Sequence, residues 1–338
     1  MEAHPAHIEL SADGTCLVCS LCPHSCHIKD GKNGICQVRY NQGSRAALPF
    51  FGHISALAMD PVEKKPLYHW RPGSSVLSAG FLGCNMKCPF CQNWHISQTI
   101  EPMTRTMSPE ELVAVVRESG CGQIAYTYSE PLVHFEYLMA VMKEARKANI
   151  ANILVTNGCV NKRPAHELLP LCDAANVDLK AFTKDSYHKT LGGSLDAVKA
   201  FIQYAFDHRV HLEITTLVIS GFNDSKKETQ DIIDYIGDLS VDIPWHISAY
   251  HPDYQWQNRP YEQVNLKEIA DRALESLNFV YVGNVPGYNN NTECPYCGKT
   301  LIERRNYETS ITGIKYKMLQ NGKLSFCKYC DSPIPVRW

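Results

Sequence analysis

The sequence predicts an α/β fold in which parallel strands alternate with helices, and three observations carry that prediction. Between residues 76 and 284, short apolar, β-branched or aromatic runs alternate with longer amphipathic stretches. The amphipathic stretches open on start signals: Ser108-Pro109-Glu110-Glu111 offers an N-cap, a proline at the first helical position and early acids, and Ser225 precedes another helix. The chain of 338 residues exceeds the usual single-domain size and suits one barrel-sized unit with small appendages. Strand–helix alternation at this spacing means parallel strands with right-handed crossovers, either as a doubly wound sheet or as a barrel.

Taken in order, residues 46–75 are mixed. Phe50, Phe51, Ile54, Leu57 and Met59 read as a strand or two leading into a loop at Asp60-Pro61 and Pro66, and Tyr68, His69 and Trp70 read as a core edge. Strands are expected at 76–82, 123–128, 152–156, 175–181, 210–218, 245–250 and 279–283. Helices are expected at 109–119, 132–148, 164–172, 195–208, 226–239 and 266–277. After Pro286-Gly287 the alternation stops, and Asn289-Asn290-Asn291 reads as a linker. Three units result: a Cys-rich N-terminal metal lobe over 1–60, the alternating region over 61–287 and a four-cysteine, zinc-ribbon-like lobe over 288–338.

Composition excludes several functional classes. Lysine plus arginine (33) nearly balance aspartate plus glutamate (35), and a formal net charge of -2 gives no global pull towards nucleic acid or an anionic membrane. No run of 18 apolar residues exists, and the start Met1-Glu2-Ala3-His4-Pro5 lacks the charged-then-apolar pattern of a secretory signal. A cytoplasmic protein is expected, with no membrane partner and no clear nucleic-acid signature. Fifteen cysteines do not indicate a disulfide scaffold, because twelve fall into three clusters with short metal-type spacings. Cys121, Cys159 and Cys172 are scattered and read as core or edge residues.

The central cluster is Cys84, Cys88 and Cys91, just after the first strand of the alternating region. Thiolates at CxxxCxxC spacing can converge on one small centre, and they are the ligands that iron–sulfur clusters take. A cubane has four irons, so three cysteines leave one iron open to a small molecule, which separates a reactive site from a structural one. The first cluster holds Cys16, Cys19, Cys22, Cys26 and Cys36. Its first four cysteines follow the ferredoxin-type C-x2-C-x2-C-x3-C run, with His27 where proline is usual, while Cys19, Cys22, Cys26 and Cys36 could equally form a four-thiolate site. Zinc and an auxiliary iron–sulfur cluster both remain open there; either would supply folding free energy that so short and turn-rich a segment cannot bury. The last cluster pairs Cys294 and Cys297 with Cys327 and Cys330, two CxxC knuckles that fit a closed, structural zinc site, with rubredoxin-like iron and a redox pair as alternatives.

CxxxCxxC with an aromatic before the last cysteine, here Phe90, resembles the signature of the radical S-adenosylmethionine (radical SAM) superfamily. Longer stretches extend the likeness: Met59-Asp60-Pro61-Val62-Glu63-Lys64-Lys65-Pro66, Gly83-Cys84-Asn85, Phe90-Cys91-Gln92-Asn93, Tyr128-Ser129-Glu130-Pro131 and Leu21-Cys22-Pro23-His24. With the terminal CxxC pair they resemble the AmmeMemoRadiSam system radical SAM enzymes, often labelled pyruvate formate-lyase activating enzyme-like, over nearly the whole chain. The resemblance implies a partial (β/α)6 barrel with the cluster loop after its first strand. It implies a [4Fe-4S] cluster at Cys84, Cys88 and Cys91, with S-adenosylmethionine (SAM) chelating the open iron beside Phe90.

Glu130 stands where relatives receive the SAM amino group, although their preceding glycines are missing here, and a plain helix-start carboxylate is the alternative. Asn157, in Thr156-Asn157-Gly158 at the end of the third strand, is a further cofactor contact. Asp178 and Lys180 share one strand face and pair inside the barrel, either against the SAM carboxylate or as an internal salt bridge alone. The stretch from Glu213 to Gly221 resembles the adenine rest, and His251 stands where activating-enzyme relatives reach the ribose.

The implied chemistry is one-electron cleavage of SAM to methionine and a 5′-deoxyadenosyl radical, which takes hydrogen from an unidentified substrate. A low-potential donor of flavodoxin or ferredoxin type is implied. The substrate is a protein glycine, as for a glycyl-radical activating enzyme, or a small molecule or RNA base; a non-catalytic metal-binding scaffold is the third reading.

Overall fold

The computed structural model describes residues 5–100, 103–257, 266–305, 307–319 and 322–338. The opening residues 1–4, used above in reading the start for a secretory signal, lie outside that range. At the centre is an eight-stranded sheet. Its edge strand β1 (Ala56–Pro61) runs antiparallel to β2 (Ser75–Gly80). From β2 the sheet continues in chain order through β3 (Gln123–Thr127), β4 (Ala151–Thr156), β5 (Ala174–Asp178), β6 (His211–Val218), β7 (Trp245–Ala249) and β8 (Val280–Gly283), each parallel to its neighbour. Residues at or near the C-terminal ends of β3 through β8 line one cavity, so the sheet curls around it. That settles the alternative left by periodicity: the fold is an open barrel, with β1 and β8 as its free edges among the described residues. β3 is buried along its whole length, as a strand covered by helices on one face and by the barrel interior on the other must be.

Helices α1 (Pro109–Ser119), α2 (Phe135–Lys147), α3 (Lys162–Leu168), α4 (Leu195–Asp207), α5 (Lys226–Leu239) and α6 (Leu266–Leu274) lie between successive strands. The α1 start is a full capping box: Ser108 Oγ accepts from Glu111 N at 3.2 Å and Glu111 Oε2 accepts from Ser108 N at 2.7 Å. Its inward face carries Leu112, Val113 and Val116, and it stops at Gly120, whose φ of 70° is the left-handed form that ends helices.

Two expected helices are interrupted. The 132–148 stretch begins as a 3-10 turn over Pro131–His134, capped by the Glu130 side chain, before α2 starts. The 164–172 stretch changes to a 3-10 turn over Leu169–Leu171, where Pro170 has no N–H to give to an α-helical ladder. β2 and β5 stop at Gly80 and Asp178, earlier than periodicity suggests, because the apolar residues after them turn into site loops.

At the start of β6 lies a buried polar hub. Glu213, wholly buried, accepts from Tyr68 N (2.9 Å), His69 N (2.8 Å), His211 Nε2 (2.9 Å) and His246 Nε2 (2.6 Å). Burial alone would raise its pKa, but the two histidine donors outweigh that and hold it well below the usual carboxylate range. The hub fixes the segment between β1 and β2, on which the C-terminal lobe docks. Arg304 donates to Tyr68 O at 2.7 Å, Thr309 Oγ1 donates to Glu63 Oε1 at 2.8 Å, and Arg337 N donates to His69 O at 2.8 Å.

The N-terminal lobe is a three-stranded antiparallel sheet of Ile8–Leu10, Cys16–Cys19 and His27–Lys29, followed by the pair Tyr40–Gln42 and Arg45–Ala47. We propose three units close to the sequence division, with the first boundary before Ala56, because β1 pairs into the barrel sheet. Cys159 and Cys172 are buried in the barrel core and Cys121 is half-buried.

Replacing the hub carboxylate by an amide, Glu213→Gln, is expected to lower stability by about 2–4 kcal/mol at neutral pH through weakened buried hydrogen bonds. A depressed folded pKa contributes stability that is present above the unfolded value of about 4.3 and lost as pH falls below it. The difference in melting temperature between wild type and variant should therefore be wide at pH 7 and close on acidification below that value.

Candidate functional site

After β2 the chain enters the loop that carries Cys84, Cys88 and Cys91. Gly83 makes the turn possible: its φ is 77°, and a Cβ there would lie 2.3 Å from Cys36 O and 2.8 Å from Val38 Cγ1. Only glycine lets the cluster loop lie so close against the N-terminal lobe. Asn85 holds the next step, donating to Cys159 O at 2.6 Å while its own carbonyl meets His24 Nε2 at 2.7 Å.

The three thiols open on a cavity of about 390 Å3. Cys84 Sγ accepts from Met86 N at 3.3 Å and from Asn157 Nδ2 at 3.6 Å, and Cys91 Sγ lies 3.2 Å from Ser97 Oγ. Burial pushes the Cys84 thiol well above its ordinary value and the Cys88 thiol up to about 11, so a metal taken here displaces protons. Among the described residues, one group of Cys, His, Asp or Glu ligand atoms gathers within 4.8 Å, and it is the C-terminal one.

Glu130 also lines the cavity and is almost wholly buried. Its carboxylate accepts from Leu132 N (3.0 Å), Thr156 Oγ1 (2.6 Å) and Asn157 N (2.8 Å). Burial outweighs those three donors and raises its pKa to about 7. Glu130 caps the turn Pro131–His134, as the helix-start alternative expects, and it also lines the cavity. Asp178 at the end of β5 and Lys180 just beyond it form a 2.7 Å ion pair in the same wall. Burial opposes the Lys180 charge, but Asp178 and the neighbouring Cys88 more than offset it and hold the ammonium above the usual lysine range.

Phe90 is buried against Trp256 (5.2 Å between ring centroids) and Phe222 (5.8 Å), so it shapes the wall. The structure does not bring His251 into this cavity. It is exposed, with Nδ1 3.1 Å from Pro252 O, and it lines an adjacent cleft of about 1070 Å3 between the β7 and β8 ends and the C-terminal lobe. The two spaces share Lys64, Pro66, Gln92, Ser248 and Asn284 in their walls.

Sequence reasoning assigned no role to Asn85, or to the group formed by Asp60, Lys65 and Tyr128. Lys65 Nζ lies 2.8 Å from Asp60 Oδ2 and 4.5 Å from the Tyr128 ring centroid, and Tyr128 donates to the same Asp60 oxygen at 2.8 Å. The signal was present in Asp60-Pro61-Val62-Glu63-Lys64-Lys65 and in Tyr128 before Glu130, but only the fold joins them.

In the tail, Cys294 Sγ lies 3.6 Å from Cys330 Sγ, and Cys297 Sγ lies 3.7 Å from Cys327 Sγ. A tetrahedral ion with metal–sulfur bonds of about 2.3 Å places its sulfurs about 3.8 Å apart, so this group can hold one ion. At the other end, Cys19, Cys22, Cys26 and Cys36 face one small cavity, and Cys16 is not part of its wall.

The profile of the Radical SAM superfamily matches residues 80–236, the span of the cluster loop and the first strands of the barrel. The uncharacterized protein MJ0808 of Methanocaldococcus jannaschii is 36% identical over 324 residues, covering 94% of this chain and 95% of that one. The chain belongs to the radical SAM superfamily. Reductive cleavage of SAM is the general mechanism of the superfamily, so this radical SAM protein is an enzyme of radical oxidoreductive chemistry whose cofactors are a [4Fe-4S] cluster and SAM. It is also similar to the 4-hydroxyphenylacetate decarboxylase activating enzyme of Clostridioides difficile, at 25% identity over 52% of this chain and 58% of that protein's length. Among solved structures, the crystal structure of Streptococcus suis SuiB bound to precursor peptide SuiA shares the fold, with a TM-score of 0.50 at 14% identity over 66% of this chain and 51% of that one. No described helix is long and apolar enough to cross a membrane.

Gly83→Ala combines a disfavoured φ with overlap against Cys36 O and should cost roughly 3 kcal/mol or more. The expected result is reduced iron incorporation and a lower melting temperature, read by iron analysis and calorimetry.

Proposed function

We propose that Cys84, Cys88 and Cys91 ligate the [4Fe-4S] cluster, that SAM fills the rest of the 390 Å3 cavity, and that the radical is delivered to a segment of another protein. The observation that carries this reading is the single wall shared by three thiols, the Glu130 carboxylate and the Asp178–Lys180 pair. When bound, the cluster supplies the electron that breaks the sulfonium bond of SAM to the adenosyl carbon.

The protein residues do the positioning. Glu130 keeps a carboxylate oxygen towards the space where an ammonium would sit, and Asn157 braces both Glu130 and Cys84. Lys180 is charged and aimed by Asp178, which suits the SAM carboxylate. Phe90 and Trp256 present apolar rings that exclude water from one side. The open cleft of about 1070 Å3 beside the cavity supports a polypeptide substrate, since a small molecule needs no entrance of that size. His251 then serves in that cleft, at the substrate entrance.

The similarity to an activating enzyme favours a protein glycine as the hydrogen donor, and a low-potential protein of flavodoxin or ferredoxin type as the electron source. The tail group Cys294, Cys297, Cys327 and Cys330 fits a closed structural zinc site. None of the fifteen cysteines is paired in a disulfide, which suits a reducing, cytoplasmic setting.

The deciding experiment is anaerobic turnover of the iron-reconstituted protein with dithionite and SAM, alone and with a candidate glycyl-radical protein. 5′-Deoxyadenosine formation and a backbone glycyl radical by EPR are expected, both absent in Cys88→Ala. Turnover with small molecules but with no protein would overturn the substrate assignment. Lys180→Met should weaken SAM binding roughly 30-fold or more by stranding Asp178, measured by equilibrium titration. Cys294→Ala should release one equivalent of zinc and lower the melting temperature while SAM cleavage persists; loss of cleavage with zinc retained would mean that the tail is not merely structural.

A further inference from the structure

Lys65 and Tyr128 line the cofactor cavity and share Asp60 behind it, yet the proposed reaction gives none of the three a part. The backbone at Tyr128 singles the group out. Its φ of 71° lies in the left-handed region. Glycine enters that region freely, but for a side chain as bulky as tyrosine it is an outlier that persists only where the surroundings over-determine it. Ser129 N donates to Thr127 O at 3.1 Å across the residue, closing a three-residue turn at the end of β3.

Four contacts hold the tyrosine in that conformation. Its hydroxyl donates to Asp60 Oδ2 at 2.8 Å, an oxygen that also accepts from Lys65 Nζ (2.8 Å) and Ser78 Oγ (2.9 Å). Lys65 is 3% exposed, and its ammonium stands 4.5 Å from the ring centroid. The ring lies so close to Gly80 that a Cβ there would come within 2.7 Å of Tyr128 Cδ2. The Tyr128 carbonyl accepts from Asn93 Nδ2 at 2.7 Å. Burial opposes the charge on Asp60, but Lys65, Tyr128 and Ser78 hold its carboxyl well below the usual range, so the phenol is tied to an anion.

The turn delivers Glu130. Glu130 N lies 3.4 Å from Gly83 O, and the residue lines the cavity. Residues 128–130 are thereby tied to the cluster loop on both sides, before Cys84 through Gly83 and after Cys91 through Asn93. We infer that Tyr128, anchored by Asp60 and Lys65, is a positioning residue that aims the Glu130 carboxylate at SAM. The inference rests on the reading of Glu130 as the group that meets the SAM ammonium. It also gives the edge of the sheet a part in the site: Asp60 belongs to β1, and no residue of β1 lines the cavity itself.

The test reads SAM affinity by titrating the reconstituted, reduced protein and following the change that SAM makes in the cluster EPR signal, beside iron analysis and calorimetry. Tyr128→Phe removes the hydroxyl alone and should weaken SAM roughly ten-fold, the size of one hydrogen bond to a charged group, at unchanged iron content. Glu130→Gln should weaken SAM as well, and Tyr128→Phe added to it should bring no further loss, because the tyrosine acts through that carboxylate. Wild-type affinity in Tyr128→Phe, with or without a lower melting temperature, overturns the inference and leaves the tyrosine a structural role. An equal loss in both backgrounds overturns it too. Affinity untouched by Glu130→Gln removes the reading of Glu130, and the inference with it. If Glu130→Gln fails to take up the cluster, the affinity of Tyr128→Phe decides alone.

Discussion

The close contact at Gly83 governs the rest of the site. Three thiols must leave one strand end and turn back into the barrel within eight residues, and that path runs against the backbone of the N-terminal lobe with no room for a side chain. The contact ties together two parts of the chain that share no sheet. Asn85 extends it on one side to His24, and on the other to Cys159 and, through Asn157, to Cys84. The cluster loop is thus held between the N-terminal lobe and a barrel wall, as a site that must keep its geometry requires.

Within the cavity, burial works against every charge, and each charge has a specific compensation. Lys180 keeps its proton because Asp178 lies 2.7 Å away. Glu130 sits nearer to neutrality even with three donors, so an arriving ammonium would complete its set. At the opposite end of the barrel, Glu213 shows the other outcome: four donors, two of them histidines, overcome an equal burial. One lines the cavity, and the other joins the elements of the fold.

Much of this was legible in the sequence for physical reasons that can be named. Strand–helix alternation survives in the sequence because each element must bury one face, and α1 and α5 run over the residues expected of them. The cysteine spacings were legible because coordination chemistry dictates them. Curling of the sheet was not legible in periodicity, since a doubly wound sheet and a barrel bury the same runs; the family resemblance implied it, and the common cavity of β3 to β8 agrees. His251 was placed by analogy with relatives, and the turn after β7 carries it into the neighbouring cleft instead. Asn85 could not be read at all, because its importance lies in partners 61 to 74 residues away.

Three cysteine groups on one chain differ chiefly in how much space they enclose and how many thiolates close it. The tail brings four sulfurs into mutual contact and leaves nothing open, which suits an ion that only staples a lobe. The barrel offers three thiols and a cavity of about 390 Å3, so a coordination position and the room to use it occur together. The N-terminal four, Cys19, Cys22, Cys26 and Cys36, wall a cavity of about 10 Å3. Reactivity follows from that ordering. On the proposed reading the barrel group would leave a metal both under-coordinated and in contact with a space large enough for a cofactor, and the Glu130 carboxylate and the Lys180 ammonium line that same space.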